Sequence, residues 1–211
     1  MRRSRFLWVI VLALGLTPAA DLEAQIAGER VWLGLLGGGT YTKFTGSSAD
    51  AANLDWRTGF AAGGFVQYEV SPRFGIALEG MLIQKGARRE QVTTTSGLAY
   101  RIWYVDVPFL ARLTLAPDAT LRPTIVVGPS VGFEVDCKEK IAFNNAAISA
   151  TCSEPPERRS TDFSGNVGFE VGWRRYAAGV RYFRSFTEVH TGASAPELRN
   201  HGFSLIASVR F

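Results

Sequence analysis

The chain has 211 residues, a formal net charge of +4 at pH 7 and 46% hydrophobic residues. That length suits one sizeable domain or two small ones, the mild charge does not by itself imply nucleic acid, and the hydrophobic content is ordinary for a soluble protein. Beyond the N-terminus no apolar run approaches the roughly 20 residues of a membrane helix, which argues against a helical membrane protein but not against a barrel, whose apolar residues are spread by alternation.

The N-terminus reads as an export signal. Arg2, Arg3 and Arg5 form a positive stretch, residues 6–16 an apolar one too short for a comfortable span, and Thr17-Pro18-Ala19 or Leu22-Glu23-Ala24 offers small-residue cleavage. Residues 1–24 are therefore expected to be a cleaved signal peptide and residues 25–211 a single domain.

From there the chain alternates. In 30–42, Val31, Leu33 and Leu35 oppose Trp32, Gly34, Leu36 and Gly38; a polar connection over 43–55 follows. In 56–70, Phe60, Ala62, Val66, Tyr68 and Val70 oppose Gly59, Gly63, Gln67 and Glu69, and Ser71-Pro72-Arg73 makes a tight turn because proline presets a turn angle and cannot continue a ladder. Residues 74–85 form the third segment and 86–98 a long polar connection. Residues 99–115 set Trp103, Val105, Val107 and Phe109 against Tyr104, Asp106, Pro108, Leu110 and Arg112, and a short turn at 116–119 leads to 121–136. The connection over 137–161 is the longest and holds both cysteines. Residues 162–174 and 177–189 are joined by a tight turn at Arg174-Arg175-Tyr176, and a polar connection leads to 201–211, where Phe203, Leu205, Ala207, Val209 and Phe211 share one face. Such period-two patterns are strands.

Connections run long, short, long, short, long, short, long. Outer-membrane barrels have short turns at one end, long loops at the other and an even strand count. The expected fold is therefore all-β: an eight-stranded antiparallel up-and-down transmembrane β-barrel. Glu69, Glu79, Lys85, Asp106, Arg112, Glu134, Asp136, Glu170, Arg174, Arg181 and Arg210 share parity with the small residues. A basic residue on the lipid face costs about 2–4 kcal/mol at mid-bilayer, so this parity defines the lumen. Buried charges must be paired, so Glu79, Lys85, Asp106, Arg112, Glu134, Glu170, Arg174 and Arg181 are expected to form a lumen network rather than acid-base pairs. Arg184 falls on the apolar parity and either snorkels near the rim or follows a bulge.

Cys137 and Cys152 flank a polar segment of an exported chain and are expected to form a disulfide, with free thiols as the alternative. The two histidines, His190 and His201, lie near the outer rim. Ser204 has the opposite parity from His201 and lies about 10 Å along the strand, so no Ser-His pair results. Arg88, Arg89, Arg158 and Arg159 in outer loops could pair with lipopolysaccharide phosphates or be ordinary solvated charges.

The stretch Tyr104-Val105-Asp106-Val107-Pro108-Phe109-Leu110, with Gly128-Pro129-Ser130-Val131-Gly132-Phe133 and Asp162-Phe163-Ser164-Gly165, resembles the outer membrane protein beta-barrel domain family, the PorT-like small eight-stranded barrels related in pattern to OmpA and OmpX. Phe203, Leu205, Val209 and the terminal Phe211 look like the signal read by the outer-membrane insertion machinery. The resemblance implies location and fold more firmly than activity. It implies residence in the cell outer membrane among lipid and lipopolysaccharide, as a monomeric barrel. The residues themselves offer no catalytic constellation, metal-ligand cluster, cofactor-binding loop or nucleic-acid motif, so no catalytic or metal residues, no cofactor and no nucleic-acid partner are expected. The expected function is a non-enzymatic structural or surface-interaction role through external loops whose partner the sequence does not identify. The alternatives are a soluble exported barrel binding an apolar ligand and a lipid-modifying enzyme at the rim.

Overall fold

The computed structural model describes residues 30–46, 54–90, 97–143, 146–152, 159–189 and 198–211. Its strands are β1 (Val31–Thr45), β2 (Arg57–Glu69), β3 (Phe74–Lys85), β4 (Arg88–Glu90), β5 (Gly97–Thr114), β6 (Leu121–Phe143), β7 (Ala146–Thr151), β8 (Thr161–Trp173), β9 (Tyr176–Ser185) and β10 (Arg199–Arg210). All belong to one antiparallel sheet that the β5–β6 pairing closes, while β4 and β7 lie outside the ring, so eight strands make the barrel. The closing strand β10 pairs with β1 from Gly34↔Arg210 to Thr45↔Arg199. Closure satisfies the backbone groups that an open edge would leave bare in lipid.

The short connections cluster at one end. Ser71 and Phe74 exchange backbone hydrogen bonds across Pro72-Arg73 at 2.9 and 3.2 Å. Trp173 pairs with Tyr176, leaving two turn residues, and the first, Arg174, takes a φ of 52° as a two-residue hairpin requires. This turn end is distinguished below from the loop end.

Alternation sorts the side chains as the sequence indicates. Leu35, Phe60, Leu78, Leu82, Phe109, Val127, Val167, Val180 and Leu205 point outward and are exposed, Leu205 to 66%, whereas Glu79, Lys85, Asp106, Glu170 and Arg181 are buried inside. An apolar exterior around a charged interior is the reverse of a soluble protein.

Three departures concern the loop end. Residues 137–161 are not simply a loop: β6 continues to Phe143 and folds back as β7, with Lys138↔Thr151 to Phe143↔Ala146 in register. Within the expected 86–98 connection, β4 pairs with Gly97–Ala99 of β5. The third departure causes a parity change. The β5–β6 register shifts between Trp103↔Asp136 and Tyr104↔Glu134, so β6 carries one extra residue there. A bulge moves every later side chain to the other face. Asp136, expected inside, instead stands opposite the outward Trp103 and pairs with Lys138 at 3.7 Å, while Cys137 turns inward opposite Ile102.

Candidate functional site

The lumen is filled in layers. At the loop end an apolar cap joins Phe44, Leu54, Ala87, Ile102, Val189 and Leu198 to Cys137 and Cys152, all buried. The two sulfurs are bonded, and their Cα atoms are 5.5 Å apart. Below the cap, Lys85 Nζ lies 3.0 Å from Asp162 and 3.6 Å from Asp106, with the rings of Tyr104 and Phe183 about 5 Å away. Ser185 Oγ and Thr187 Oγ1 donate to Asp162 Oδ1. Glu134 is on the same lumen face of β6, opposite Tyr104.

A hydroxyl and amide layer follows, with the Ser130 and Ser164 hydroxyls 2.8 Å apart and Asn166 Nδ2 donating to Ser130 Oγ at 3.0 Å. Beneath it Arg181 joins two carboxylates. Its Nη1 and Nη2 donate to Glu79 at 2.5 and 2.8 Å, and its Nη2 and Nε to Glu170 Oε1 at 2.6 and 3.1 Å. Arg112 donates to the other oxygen of Glu170 at 2.8 Å. Charge-assisted forks of this kind are the geometry in which buried ions are compensated. Gly168 and Gly179 make room for it: a Cβ on Gly168 would lie 2.6 Å from Arg181 Cγ, and one on Gly179 2.6 Å from Glu170 Cγ.

At the turn end the lumen opens into a cavity of about 590 Å³. Arg210 donates to Glu69 at 2.9 Å and lies over the Trp32 ring at 4.6 Å. Arg174, expected in the lumen network, is instead exposed in the β8–β9 turn. Its guanidinium covers Trp173, and its carbonyl accepts from Arg122 at 2.6 Å. Lumen parity ends where the strand does, and Arg174 is the first residue of the tight turn beyond it.

Tyr104, Asp106 and Pro108 follow one another down the inner face of β5, and Gly128 and Ser130 face inward beside them on β6, while Pro129 points out and is exposed. Phe203, Leu205 and Phe211 are exposed outside, and the Phe211 N–H donates to the Leu33 carbonyl. Arg184 projects outward, and β9 pairs with β8 and β10 without a register shift around it, so its outward direction needs no bulge. His190 and Arg158 lie outside the described residues. His201 packs edge-on against Trp56 at 5.1 Å. Among the described residues no group of three His, Cys, Asp or Glu could hold a metal ion.

A feature that the residue pattern did not reveal sits outside the loop end. Lys43 pairs with His201, and His201 with Arg184, so three basic side chains form a row across β1, β10 and β9. Just below it run Tyr41 stacked on Trp56 at 4.8 Å, and Phe203 against Tyr182 at 5.2 Å. Only the pairing register brings these residues together.

The model of the outer membrane protein beta-barrel domain family matches residues 22–191. The chain belongs to this family. Among solved structures, the outer-membrane barrel shares 12% identity with Ail, the attachment invasion locus protein of Yersinia pestis, over 87% of this chain and all of that one, at a TM-score of 0.48. Against neisserial surface protein A the values are 11% identity, 85% and 97% coverage, and a TM-score of 0.47. Against OprG of Pseudomonas aeruginosa they are 9%, 87% and 98%, and 0.43. No curated protein matches in sequence. The assignment rests on the family match, together with the exposed apolar belt.

Membership places the barrel in the outer membrane. Its turn end is then periplasmic and its loop end extracellular. The rings of Tyr41, Trp56, Phe60 and Trp103 at one level, and of Trp173 and Tyr176 at the other, fit the two interfacial girdles.

Proposed function

We propose that this outer-membrane barrel has a non-enzymatic role at the cell surface, exerted through its extracellular sheet and not by passage through the lumen. The observation carrying this is the filled interior: paired ions at two levels beneath an apolar cap. An eight-stranded barrel has an interior just wide enough for side chains to fill. β5 and β6, at 18 and 23 residues, exceed the about 9–11 that span a bilayer, so their outer parts with β7 project beyond it. The Cys137–Cys152 bond ties that hairpin to the cap.

The test compares cells displaying the intact chain with cells in which residues 138–151 are replaced by a two-residue turn. Loss of adhesion to matrix proteins or glycans, with barrel assembly retained, is the expected result. Stepwise single-channel conductance in planar bilayers, with adhesion unchanged, would overturn the reading. An apolar-ligand barrel is disfavoured by the charged lumen. A rim enzyme is disfavoured because His201 faces Trp56 outside, whereas Ser204 faces inward. Unchanged lipid profiles on replacing His190 and His201 would agree.

The lipid partner we assign is lipopolysaccharide, whose phosphates suit the Lys43–His201–Arg184 row better than the loop arginines, since the row sits at girdle height. Residues 1–24 we read as a cleaved export signal, and N-terminal sequencing of the membrane form, expected to begin near Gln25, tests it.

A further inference from the structure

We propose that the periplasmic vestibule binds a phosphate oxyanion. Three observations converge on it: an unbalanced set of guanidinium groups, a cavity open on one side, and neutral donors between the charges.

Eight arginines and three carboxylates line the cavity. Pairing does not remove the excess. Arg181 is consumed by Glu79 and Glu170, Arg112 by the other oxygen of Glu170, and Arg210 by Glu69. Of the other five, Arg30, Arg73, Arg174 and Arg175 are exposed at the mouth, while Arg122 is half-buried in the wall, and its one described side-chain hydrogen bond goes to a neutral acceptor, the Arg174 carbonyl. Arg112, Arg122 and Arg210 all line this one cavity, so the three guanidiniums share a common space. Like charges gathered between low-dielectric walls repel more strongly than in water and focus anions into the space.

The cavity has the size of a small-ligand site. The Arg181 layer and the cap close its outer side, so a ligand enters from the periplasm. Thr114, Thr124, Gln67 and Ser208 add hydroxyl and amide donors to its wall. Arginine favours phosphate because its planar fork meets two oxygens at once. The oxyanion is either free phosphate or the headgroup of an anionic phospholipid from the inner leaflet, whose surface lies level with Arg174 and Arg175 in the turn.

The experiment uses the full chain folded in a sugar-detergent micelle, titrated with inorganic phosphate by calorimetry against a chloride control. A second preparation, from vesicles of phosphatidylcholine and phosphatidylglycerol, is read by native mass spectrometry for retained lipid. Saturable phosphate binding identifies the free ion as a ligand, and selective retention of phosphatidylglycerol identifies the lipid. In either arm Arg122→Gln is expected to weaken binding tenfold or more, and Ser208→Asp, which supplies an internal carboxylate, to do the same. Each variant's fold is checked by heat-modifiable migration, so Ser208→Asp decides the matter should Arg122→Gln fail to assemble. Absence of both ligands, or equal binding by wild type and a folded variant, overturns the proposal.

Discussion

Arg181 and Glu79 stand 102 positions apart in the chain, yet they meet as a two-pronged ion pair inside the barrel, with the prongs at 2.5 and 2.8 Å. Arg181→Ala strands the buried Glu79 outright and leaves Glu170 with Arg112 as its one remaining cation. Breaking a buried pair by removing one partner costs about 3–5 kcal/mol, whereas a neutral, well-packed replacement of the whole group can be nearly silent. Urea unfolding in lipid vesicles is expected to show a loss of that size for Arg181→Ala, largely recovered in Arg181→Met/Glu79→Gln, which leaves the Arg112–Glu170 pair in place. A wild-type midpoint for the single variant would show that the pair contributes no stability.

Two glycines separate packing from propensity. The position of a Cβ on Gly168 is blocked by Arg181 Cγ at 2.6 Å, Val180 O at 2.8 Å and Val126 Cγ2 at 3.0 Å, while nothing lies within 4 Å of one on Gly80. Gly168→Ala is expected to destabilise by about 1–3 kcal/mol through overpacking. Gly80→Ala should be neutral or stabilising by roughly 0.4–1 kcal/mol, since it restricts the unfolded chain at an unstrained site. Equal midpoints for the two variants in the same unfolding assay would contradict this packing.

On the lipid face, Leu205 is 66% exposed between Phe203 and the small Ala207. Leu205→Arg is expected to cost about 2–4 kcal/mol of folding free energy in vesicles, while Arg184→Leu, beside the outer interface, should change it by about 1 kcal/mol or less. A tolerated arginine at 205 would place that face in water, not lipid.

Reduction of Cys137–Cys152 should act locally. The bond closes a segment of sequence separation 15, a constraint worth about 3 kcal/mol in the chain-entropy account. Cys137→Ser/Cys152→Ser is expected to expose the β6–β7 hairpin to trypsin at Lys138, with the barrel core still protected and still heat-modifiable. Loss of barrel assembly would mean instead that the cap is needed for closure.

Much of the molecule is a local property of the residues. Period-two alternation marks every barrel strand, Ser71-Pro72-Arg73 and Arg174-Arg175 mark turns, and the charges at 79, 85, 106, 112, 170 and 181 fall on the inner parity because lipid rejects them on the other. The expected eight-stranded barrel followed from these, and the resemblance to the family from the Tyr104–Leu110 motif and its companions on the next two strands. Partners across the lumen did not, because Arg181 meets Glu79, and Lys85 meets Asp162, only through closure and stagger of the whole sheet. Nor could alternation reveal one extra residue in β6. The bulge beside Trp103 turns Asp136 outward and Cys137 inward, and it rests on a mismatch between strands that neither strand encodes separately. Apart from the stretch beyond the β6 bulge, the sequence by itself determined which side chains face lipid and which face inward, since that depends on neighbours along the strand. Only the tertiary structure decided which charges pair, which gather around the vestibule and which line up as Lys43, His201 and Arg184, since each depends on register between strands.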